Sequence, residues 1–289
     1  MTMVKFLDGI KEPKVSELGG KGNSLAILIN NGFNVPKGFV IISEAFFEYL
    51  KQNNLMEKIE KLSFEINEDN FQKKSKEIKN LVLSGKIPEK TVSKVKKNLN
   101  KLNASFVSIR SSAVSEDSLK ASFAGMHDTF LNVKSNSDLV LKNVKKCWAS
   151  LFNERAVIYK IKKRITHLEG MAVIIQQMIY ADVSGITFTV HPTNEKAILI
   201  ELASGSCDTI VSGKIIPESI VIDRKSLLIL ERKLSEKKIS VLEDSIIEIA
   251  QICLKIENVF NSPQDIEWCI YNNRVWLLQS RQITRKLIQ

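Results

Sequence analysis

Three short segments of the sequence carry residue types that bind phosphate or metal, and the first is the run GGKG at residues 19–22. Glycines let backbone amides approach an anion closely, and a helix that follows them presents its positive N-terminal end. Lys21 adds a point charge that suits phosphate. The spacing matches neither a Walker A motif nor a dinucleotide-binding fingerprint. From the residues alone, the run is either a phosphate site or a turn with an exposed lysine.

The second segment starts with the β-like run FVSIR, which ends at Arg110, and continues as a loop rich in serine, glycine and alanine to Asp128. A guanidinium donates paired hydrogen bonds to phosphate, and small loop residues supply amides and hydroxyls. Such a strand and loop can fold over a polyphosphate. The alternative is an ordinary surface loop. His127 within it is an acid, a base or a phosphoryl acceptor, or else a bystander, as lone loop histidines commonly are.

The third segment is a pair of strand-like runs near the C-terminus, PQDIEW and VWLLQSR. Alternation puts Asp265 and Glu267 on one face of the first run, and Gln279 and Arg281 on one face of the second. Two carboxylates and an amide oxygen suit Mg²⁺, which takes few protein ligands and completes its shell with phosphate oxygens and water. A solvent-exposed hairpin with cross-strand pairs is the alternative.

The loop between these two runs decides whether their polar side chains meet. A two-residue Asn-Asn loop pairs Glu267 with Leu278 and turns Gln279 to the other face. A three-residue loop, or a bulge, instead sets Glu267 opposite Gln279 and requires a residue in the left-handed region, for which Asn273 is the candidate. A metal role for the hairpin therefore requires the odd-length loop or a bulge.

Apolar periodicity and turn residues indicate the elements that must position these segments. Gly32 and Pro36 end the first of the helices. This order of helices and short strands predicts α+β lobes with a ligand cleft between them and a boundary near residues 179–184. We predict helices at 23–31, in two or three pieces across 44–101, at 138–164 and at 244–260, and strands at 106–110, 173–178, 186–190, 197–202 and 219–222, followed by a terminal strand pair.

The net charge of +10 raises the hypothesis of a nucleic-acid partner. Ten lysines lie between Phe71 and Lys101, against only Glu77 and Glu89, at helical spacing and with almost no aromatic residues for base stacking. This stretch indicates a solvated helical face. An electrostatic docking surface for an acidic partner or an anionic nucleotide is the functional alternative. The pattern does not favour nucleic acid.

Composition places the chain among ordinary globular proteins, with 44% hydrophobic and 26% charged residues. No apolar run approaches the roughly 18–20 residues that a membrane helix needs. The first residues lack a signal-peptide apolar stretch, so we predict a cytoplasmic protein without a membrane partner. Cys147, Cys207, Cys253 and Cys269 show no metal-ligand spacing, and their apolar surroundings predict reduced, buried thiols.

Taken together and in this order, the three segments resemble the nucleotide-binding module shared by phosphoenolpyruvate synthase, pyruvate phosphate dikinase and rifamycin phosphotransferases. The resemblance continues in the runs CWASLFNERA, QQM, DVSGITFT and VSG, and it extends from about residue 14 to residue 284. It implies an ATP-grasp fold, in which ATP is clamped in a cleft between two α+β lobes. The lobes would be residues 1–180, with a helical insert near 50–100, and residues 181–289, with the metal-binding hairpin.

The resemblance also implies ATP and Mg²⁺ as cofactors and indicates which residues hold them. Lys21 and Arg110 would bind the phosphates, and Gly125 and Met126 would lie in the loop that covers them. Gln176, Gln177 and Met178 would line the adenine pocket. Glu267 and Gln279 would hold Mg²⁺, and Asp265 and Arg281 would support the metal and the phosphates. Lys21, Arg110 and Arg281 are the expected catalytic groups.

In the resembled family, a histidine on a swivelling domain takes the β-phosphoryl group of ATP, AMP and phosphate are released, and a further domain binds pyruvate or another acceptor. None of His127, His167 and His191 lies in a segment resembling that histidine motif. We therefore expect a histidine-bearing domain or subunit and an acceptor-binding domain as partners. The chain departs from the family in reading GSCD at 205–208, where relatives often read GLGE. It also has His191 before a proline, where Asp or Asn is common.

Other functions remain open from the sequence. The chain could be the ATP-binding domain of a rifamycin phosphotransferase, or a non-catalytic sensor that binds ATP and reports through a partner. An ATP-grasp ligase is a further alternative, but no segment marks a pocket for an acid substrate. The final phosphoryl acceptor, whether pyruvate, a phenol or an antibiotic, is not identified by these segments.

Overall fold

The computed structural model describes residues 3–115, 117–118, 121–122, 126–165, 167–205, 207, 210, 213, 215–235, 239 and 241–283, with the backbone alone at 117–118 and 121–122. These residues form two compact units. Unit 1 comprises the described parts of 1–26 and 37–178, and unit 2 comprises those of 27–36 and 179–289. Residues 27–36, which the sequence pattern places in the N-terminal lobe, therefore belong to the second unit.

Unit 1 is built on an antiparallel sheet with the strand order β1-β2-β7-β3-β6. Strands β2 and β7 are nearly continuous apolar runs, because both of their faces are covered. Two further short strands, β4 and β5, pair with each other. The strands of unit 1 are β1 (Val4–Phe6), β2 (Gly38–Ile41), β3 (Phe106–Ala113), β4 (Asp117–Ser118), β5 (Ala121–Ser122), β6 (Thr129–Lys134) and β7 (Met171–Gln177).

Helices surround this sheet. The aromatic centre of their packing is Trp148, whose ring lies 4.9 Å from the ring of Tyr49 and whose indole N–H donates to the Met171 carbonyl at 3.1 Å. The first helix begins in unit 1 and ends in unit 2. The helices that begin in unit 1 are α1 (Val15–Asn30), α2 (Glu44–Gln52), α3 (Met56–Phe64), α4 (Phe71–Ser84), α5 (Glu89–Leu102), α6 (Ser137–Ala149) and α7 (Glu154–Lys163).

The lysine-rich stretch forms amphipathic helices, as its spacing predicts. Helix α5 buries Thr91, Val95, Leu99 and Leu102, which recur at helical spacing. Its lysines are exposed or half-buried on the remaining faces. The prediction of a solvated helical face is therefore confirmed for this helix.

Unit 2 is a six-stranded antiparallel sheet in the order β11-β10-β9-β8-β12-β13. Helix α8 packs against β12 with a stripe of buried residues that includes Ile249, Cys253 and Ile256. On the sheet, the Trp268 indole N–H donates to the Thr187 hydroxyl at 2.8 Å. The elements are β8 (Val183–Phe188), β9 (Ala197–Ser204), β10 (Glu218–Asp223), β11 (Ile229–Lys233), α8 (Glu243–Phe260), β12 (Gln264–Tyr271) and β13 (Arg274–Gln282).

The mixed helix and sheet content is consistent with the predicted α+β class. Several predicted elements are wrong: the stretch 44–101 holds four helices rather than two or three, the helix predicted at 138–164 is two helices, α6 and α7, and the strand predicted at 186–190 is β8, at Val183–Phe188. Helix α1 begins at Val15 and not at Asn23, and β3 continues beyond Arg110 to Ala113. Among the helices that the structure describes, none is long and apolar enough to cross a membrane.

Candidate functional site

The glycine-rich run bends helix α1 and fastens it to β3. Gly19 has φ 66° and ψ 176°, a region that is essentially restricted to glycine, and it divides α1 into two helical pieces. A Cβ atom here would lie 2.0 Å from the Ser112 carbonyl oxygen. The Ser112 hydroxyl donates to the Leu18 carbonyl at 2.7 Å and accepts from the Gly22 N–H at 3.0 Å. Lys21 therefore lies in the first turn of the second piece, where helix amides favour an anion.

Ser112 is a site residue whose role sequence reasoning missed. The serines after Arg110 are typical of a loop, and the sequence assigns them only to the small-residue segment that follows the strand. In the structure they continue β3, and Ser112 is fully buried. The one local signal is the coincidence of a serine pair and a glycine run, which indicates no contact until the fold is known.

Arg110 lies on the sheet face that receives the helix carrying Lys21. Its direct partner on β7 is Ile174, and residues directly opposed in an antiparallel pair share a face. A Cβ at Gly22 would lie 3.8 Å from the Ile174 Cδ1 atom, which places α1 over this face. The two predicted phosphate-binding cations thus belong to neighbouring elements of unit 1.

The Cys147 thiol lies within electrostatic range of both Lys21 and Asp128. Burial raises the pKa of the Cys147 thiol, the Asp128 carboxylate raises it further, and Lys21 lowers it. The Lys21 ammonium and the Asp128 carboxylate therefore both act on this thiol. Asp128 also directly precedes Thr129, which pairs with Arg110 across β3 and β6.

The predicted adenine-pocket residues at the end of β7 separate onto two faces. Gln176 is 2% exposed and lies on the Arg110 face, because it is two residues from Ile174. Gln177 is exposed on the opposite face, and its N–H donates to the Lys37 carbonyl at 2.8 Å. The Met178 N–H donates to the Phe106 carbonyl at 3.0 Å. The side chains of Gln176 and Gln177 therefore do not line one surface of this strand.

Of the two residues predicted in the phosphate-covering loop, Gly125 lies outside the described residues. Met126 is half-buried. Its carbonyl accepts a hydrogen bond from the Asn153 side chain at 3.3 Å.

The C-terminal hairpin has the register that a metal role requires. The loop has two residues, Asn272 and Asn273, both in the left-handed region with φ of 51° and 55°. The register then shifts between Glu267 and Trp268, so that Leu278 is the extra residue of a bulge and Glu267 lies opposite Gln279. The predicted bulge and the left-handed Asn273 are confirmed.

The alternative of a three-residue loop that includes Arg274 is wrong, because Arg274 pairs with Tyr271. Two asparagines in the left-handed region form a two-residue turn whose twist matches that of the paired strands. The bulge then brings Glu267 and Gln279 onto the same face of the sheet.

The second polar pair of the hairpin is an ion pair. Arg281 is directly opposite Asp265, and its Nε and Nη2 atoms donate to Asp265 Oδ2 at 2.7 and 2.5 Å. Asp265 is 7% exposed. Glu201 lies on the same face, opposite Ile186, which is itself opposite Glu267. Burial raises the pKa of Glu201, and the charge of Asp265 raises it further.

The donor set of this hairpin fits a hard cation with few protein ligands. Glu267 supplies a half-buried carboxylate and Gln279 a buried amide, from directly opposed positions. In the part of the chain that the structure describes, no group of three or more His, Cys, Asp or Glu side chains is arranged to hold a metal. Two oxygen donors suit Mg²⁺, which keeps water and phosphate oxygens in its shell.

The three histidines lie in different settings. His127 Nδ1 is 3.2 Å from the Ser150 carbonyl oxygen, whereas the His167 side chain is 74% exposed. His191 Nδ1 accepts from the Thr193 N–H at 3.2 Å. That none of them is a phosphoryl acceptor stays a prediction. The four cysteines are free and buried, as predicted.

The sequence was compared with models of protein families. The model described as the pyruvate phosphate dikinase AMP/ATP-binding domain matches residues 15–245 and 238–288. This chain belongs to that family. The match spans the glycine run, β3, and the hairpin, so all three segments with candidate chemistry lie inside the family domain.

Relatives of the chain include probable phosphoenolpyruvate synthases and rifampicin phosphotransferases. A probable phosphoenolpyruvate synthase from Methanothermobacter thermautotrophicus is 35% identical over 97% of this chain, which covers 46% of that protein. One from Methanocaldococcus jannaschii is 31% identical over 98% of the chain and 27% of that protein. A rifampicin phosphotransferase from Bacillus cereus is 34% identical over 95% of the chain and 35% of that protein. The chain thus spans less than half the length of these relatives.

Proposed function

We propose that the chain binds Mg·ATP as an ATP-grasp module and delivers the β-phosphoryl group to a histidine on a separate domain or subunit, with release of AMP and phosphate. The observation that carries the proposal is the hairpin register, which sets Glu267 opposite Gln279 and Asp265 opposite Arg281. The Glu267 and Gln279 side chains offer two oxygen ligands, and they lie beside the Asp265 carboxylate, which Arg281 neutralises. Such a pair suits Mg²⁺, because phosphate oxygens of the nucleotide complete its shell. Membership of the AMP/ATP-binding domain family supports the same ligand.

Lys21 and Arg110 are proposed to bind the phosphates. Lys21 offers a point charge at the start of a helical piece, and Arg110 offers a planar fork of donors on the neighbouring strand. Ser112 fixes the relation between the two elements through its bonds to α1. Positioning and charge neutralisation are the main contributions of the protein to phosphoryl transfer.

Glu267 and Gln279 are proposed to hold Mg²⁺, with Asp265 and Arg281 in support. When bound, the metal would neutralise charge on the phosphate oxygens. Arg281 keeps the Asp265 carboxylate paired, and it has donor groups in addition to the two that contact Asp265. Gln176 on the Arg110 face, rather than Gln177, is the proposed side-chain contact to the base.

The transfer step requires a nucleophile in line with the β-phosphorus at about 3–3.5 Å. We propose that it comes from a histidine domain outside this chain, because none of its three histidines lies in a recognisable acceptor motif. The relatives are longer proteins, which supports further domains for the histidine and for the final acceptor. A neutral imidazole needs no general base from this chain.

A second candidate is the ATP-binding domain of a rifampicin phosphotransferase. The observation that favours it is the 34% identity to the Bacillus cereus enzyme, close to that of the synthases. Both candidates share the ATP site and differ in the acceptor. Supplying the histidine domain of each class, with pyruvate or with rifampicin, separates them.

Calorimetric titration of the chain with ATP tests the site. We expect binding with Mg²⁺ that weakens strongly in EDTA. Glu267→Gln should weaken Mg·ATP binding by about tenfold or more, since it removes a charged metal ligand. Glu231→Gln, which makes the same change on the exposed edge strand β11, is the control and should leave affinity unchanged. Equal affinity in Glu267→Gln and the control would remove the metal assignment.

A further inference from the structure

The run CWASLFNERA contributes an asparagine whose side chain is used in an unexpected way. Asn153 occupies the N-cap position of α7, with φ −61° and ψ 143°. Asparagine is favoured there because its side chain normally accepts from the first free helix amides. The Asn153 side chain makes no such bond. Both ends of its amide serve contacts elsewhere in unit 1.

The Asn153 amide joins three separate parts of unit 1. Its Nδ2 group donates to the Asp128 Oδ1 atom at 2.9 Å and to the Met126 carbonyl at 3.3 Å. Its Oδ1 atom accepts from the Lys79 ammonium at 2.7 Å. One side chain therefore holds both ends of the tripeptide Met126–Asp128.

The same tripeptide has further fixed points. The His127 ring nitrogen Nδ1 lies 3.2 Å from the Ser150 carbonyl oxygen. The Asp128 carbonyl accepts from the Ser111 N–H at 3.4 Å and from the Cys147 thiol at 3.8 Å. The tripeptide is thus tied to β3 on one side, and to the segment that joins α6 to α7 on the other.

Its position in the chain gives this anchoring a consequence for the ligand. The tripeptide leads directly into Thr129, whose partner on β3 is Arg110. It therefore fixes the backbone at the start of the strand that pairs with Arg110, a cation that the proposed function uses for phosphate. Strand alternation turns the Asp128 side chain to the face opposite that of Arg110, where the Asn153 amide holds it. If this carboxylate lost its fixed partner, the start of β6 would shift, and Arg110 would lose its fixed position for the phosphates.

We infer that Asn153 is a positioning residue for nucleotide binding, which fixes Met126–Asp128 at the start of the strand that pairs with Arg110 and holds the Asp128 carboxylate on its own amide. This inference rests on the proposed function. The ligand part that it concerns is the polyphosphate, not the base. Loss of the Asn153 amide should therefore weaken ATP binding more than AMP binding.

Asn153→Asp is the direct test, because it keeps the shape of the side chain and the acceptor for Lys79. It replaces the donor with a carboxylate that faces Asp128 and the Met126 carbonyl. We expect Mg·ATP affinity to fall by about tenfold or more and AMP affinity to change by less than about twofold. Aspartate is also a favourable N-cap, so the thermal midpoint should change little.

Lys79→Met is the matched control. It removes the other partner of the same amide, keeps the chain length and leaves the bonds to Met126 and Asp128 in place. Its ATP and AMP affinities should match those of the unaltered chain. A purely structural role for Asn153 would instead lower stability and both affinities together.

The double variant Asn153→Asp with Asp128→Asn supplies a rescue test. In this variant the amide is at position 128 and donates to the carboxylate at position 153, which reverses the original hydrogen bond. Mg·ATP affinity should therefore recover to within about threefold of that of the unaltered chain. Absence of rescue, or a parallel loss of ATP and AMP binding in Asn153→Asp, would overturn the inference. If the unaltered chain itself fails to bind Mg·ATP, the proposed function fails and the inference with it. If it binds and Asn153→Asp binds equally well, the inference alone fails.

Discussion

The close packing of helix α1 on strand β3 can be tested by replacing Gly19 with alanine. The new Cβ would lie 2.0 Å from the carbonyl oxygen of Ser112 and 2.4 Å from its carbonyl carbon and its Oγ atom. These are mostly backbone atoms of a buried strand, so they cannot rotate away. The backbone at φ 66° and ψ 176° adds strain of about 1–3 kcal/mol. Overpacking adds about 1–3 kcal/mol more.

The expected loss of about 2–6 kcal/mol is a large part of a typical domain stability of about 5–15 kcal/mol. Two controls separate its causes. Gly32 also has a positive φ, but no atom lies within 4 Å of the Cβ that alanine would add. Gly32→Ala should therefore lower the free energy of unfolding by about 1 kcal/mol. Gly9→Ala has neither feature and should cost little.

Urea unfolding followed by circular dichroism and tryptophan fluorescence measures these differences. The transition that reports on Trp148, in unit 1, is the relevant one for Gly19. If Gly19→Ala folds at low temperature, its Mg·ATP affinity should also fall, because α1 must move and carry Lys21 with it. A stability loss in Gly19→Ala no larger than the loss in Gly32→Ala would refute the close approach to Ser112.

Two further predictions concern unit 2. Asp265→Asn should cost about 1–3 kcal/mol of folding stability in urea unfolding, because it weakens the bonds that the Arg281 guanidinium makes. The same change should lower the pKa of Glu201, which the charge of Asp265 helps to raise, in a carboxyl NMR titration, and an unmoved pKa would contradict the shared face. Burial raises the pKa of Cys253 and of Cys269 to about 12. At pH 8 about one molecule in 10⁴ is then a thiolate, so a thiol reagent should modify both only after denaturation, and rapid native labelling would disprove their burial.

The hairpin illustrates how far sequence reasoning reaches. Period-2 alternation and the Asn-Asn turn predict two paired strands, and the shared chemistry of Glu267 and Gln279 predicts that they face each other. Either an odd loop or a bulge satisfies this, and the local sequence does not choose between them. The choice follows from two left-handed asparagines, which close the loop in two residues, so that the extra residue is accommodated at Leu278.

The start of α1 shows why other boundaries fail. A run of glycines lowers helix propensity, so the pattern predicts a turn before the helix. In the structure, burial of Leu18 and contact with Ser112 hold a helical piece on each side of Gly19. Tertiary packing overrides propensity here. Tertiary contacts also explain why residues 27–36 belong to unit 2. The backbone and the side chain of Asn34 form hydrogen bonds with the edge strand β13.

The role of Asn153 was similarly invisible, because an asparagine before a helix reads as a cap. In the folded chain its amide is directed at Met126 and Asp128 instead. Asparagine has a strong local preference for the N-cap position, so a single sequence does not indicate when its side chain contacts distant residues instead.

The proposed transfer to a histidine domain can be tested by following the β-phosphate of ATP. The chain is incubated with Mg·ATP labelled at that phosphate, with and without a histidine domain from a phosphoenolpyruvate synthase of this family. The proposed function predicts label on the histidine domain together with AMP and phosphate, and little turnover when that domain is omitted. Release of ADP that retains the label would mean transfer of the γ-phosphoryl group and would contradict the proposed β-phosphoryl transfer. Stable labelling of the chain by itself would show that one of its own histidines is the acceptor.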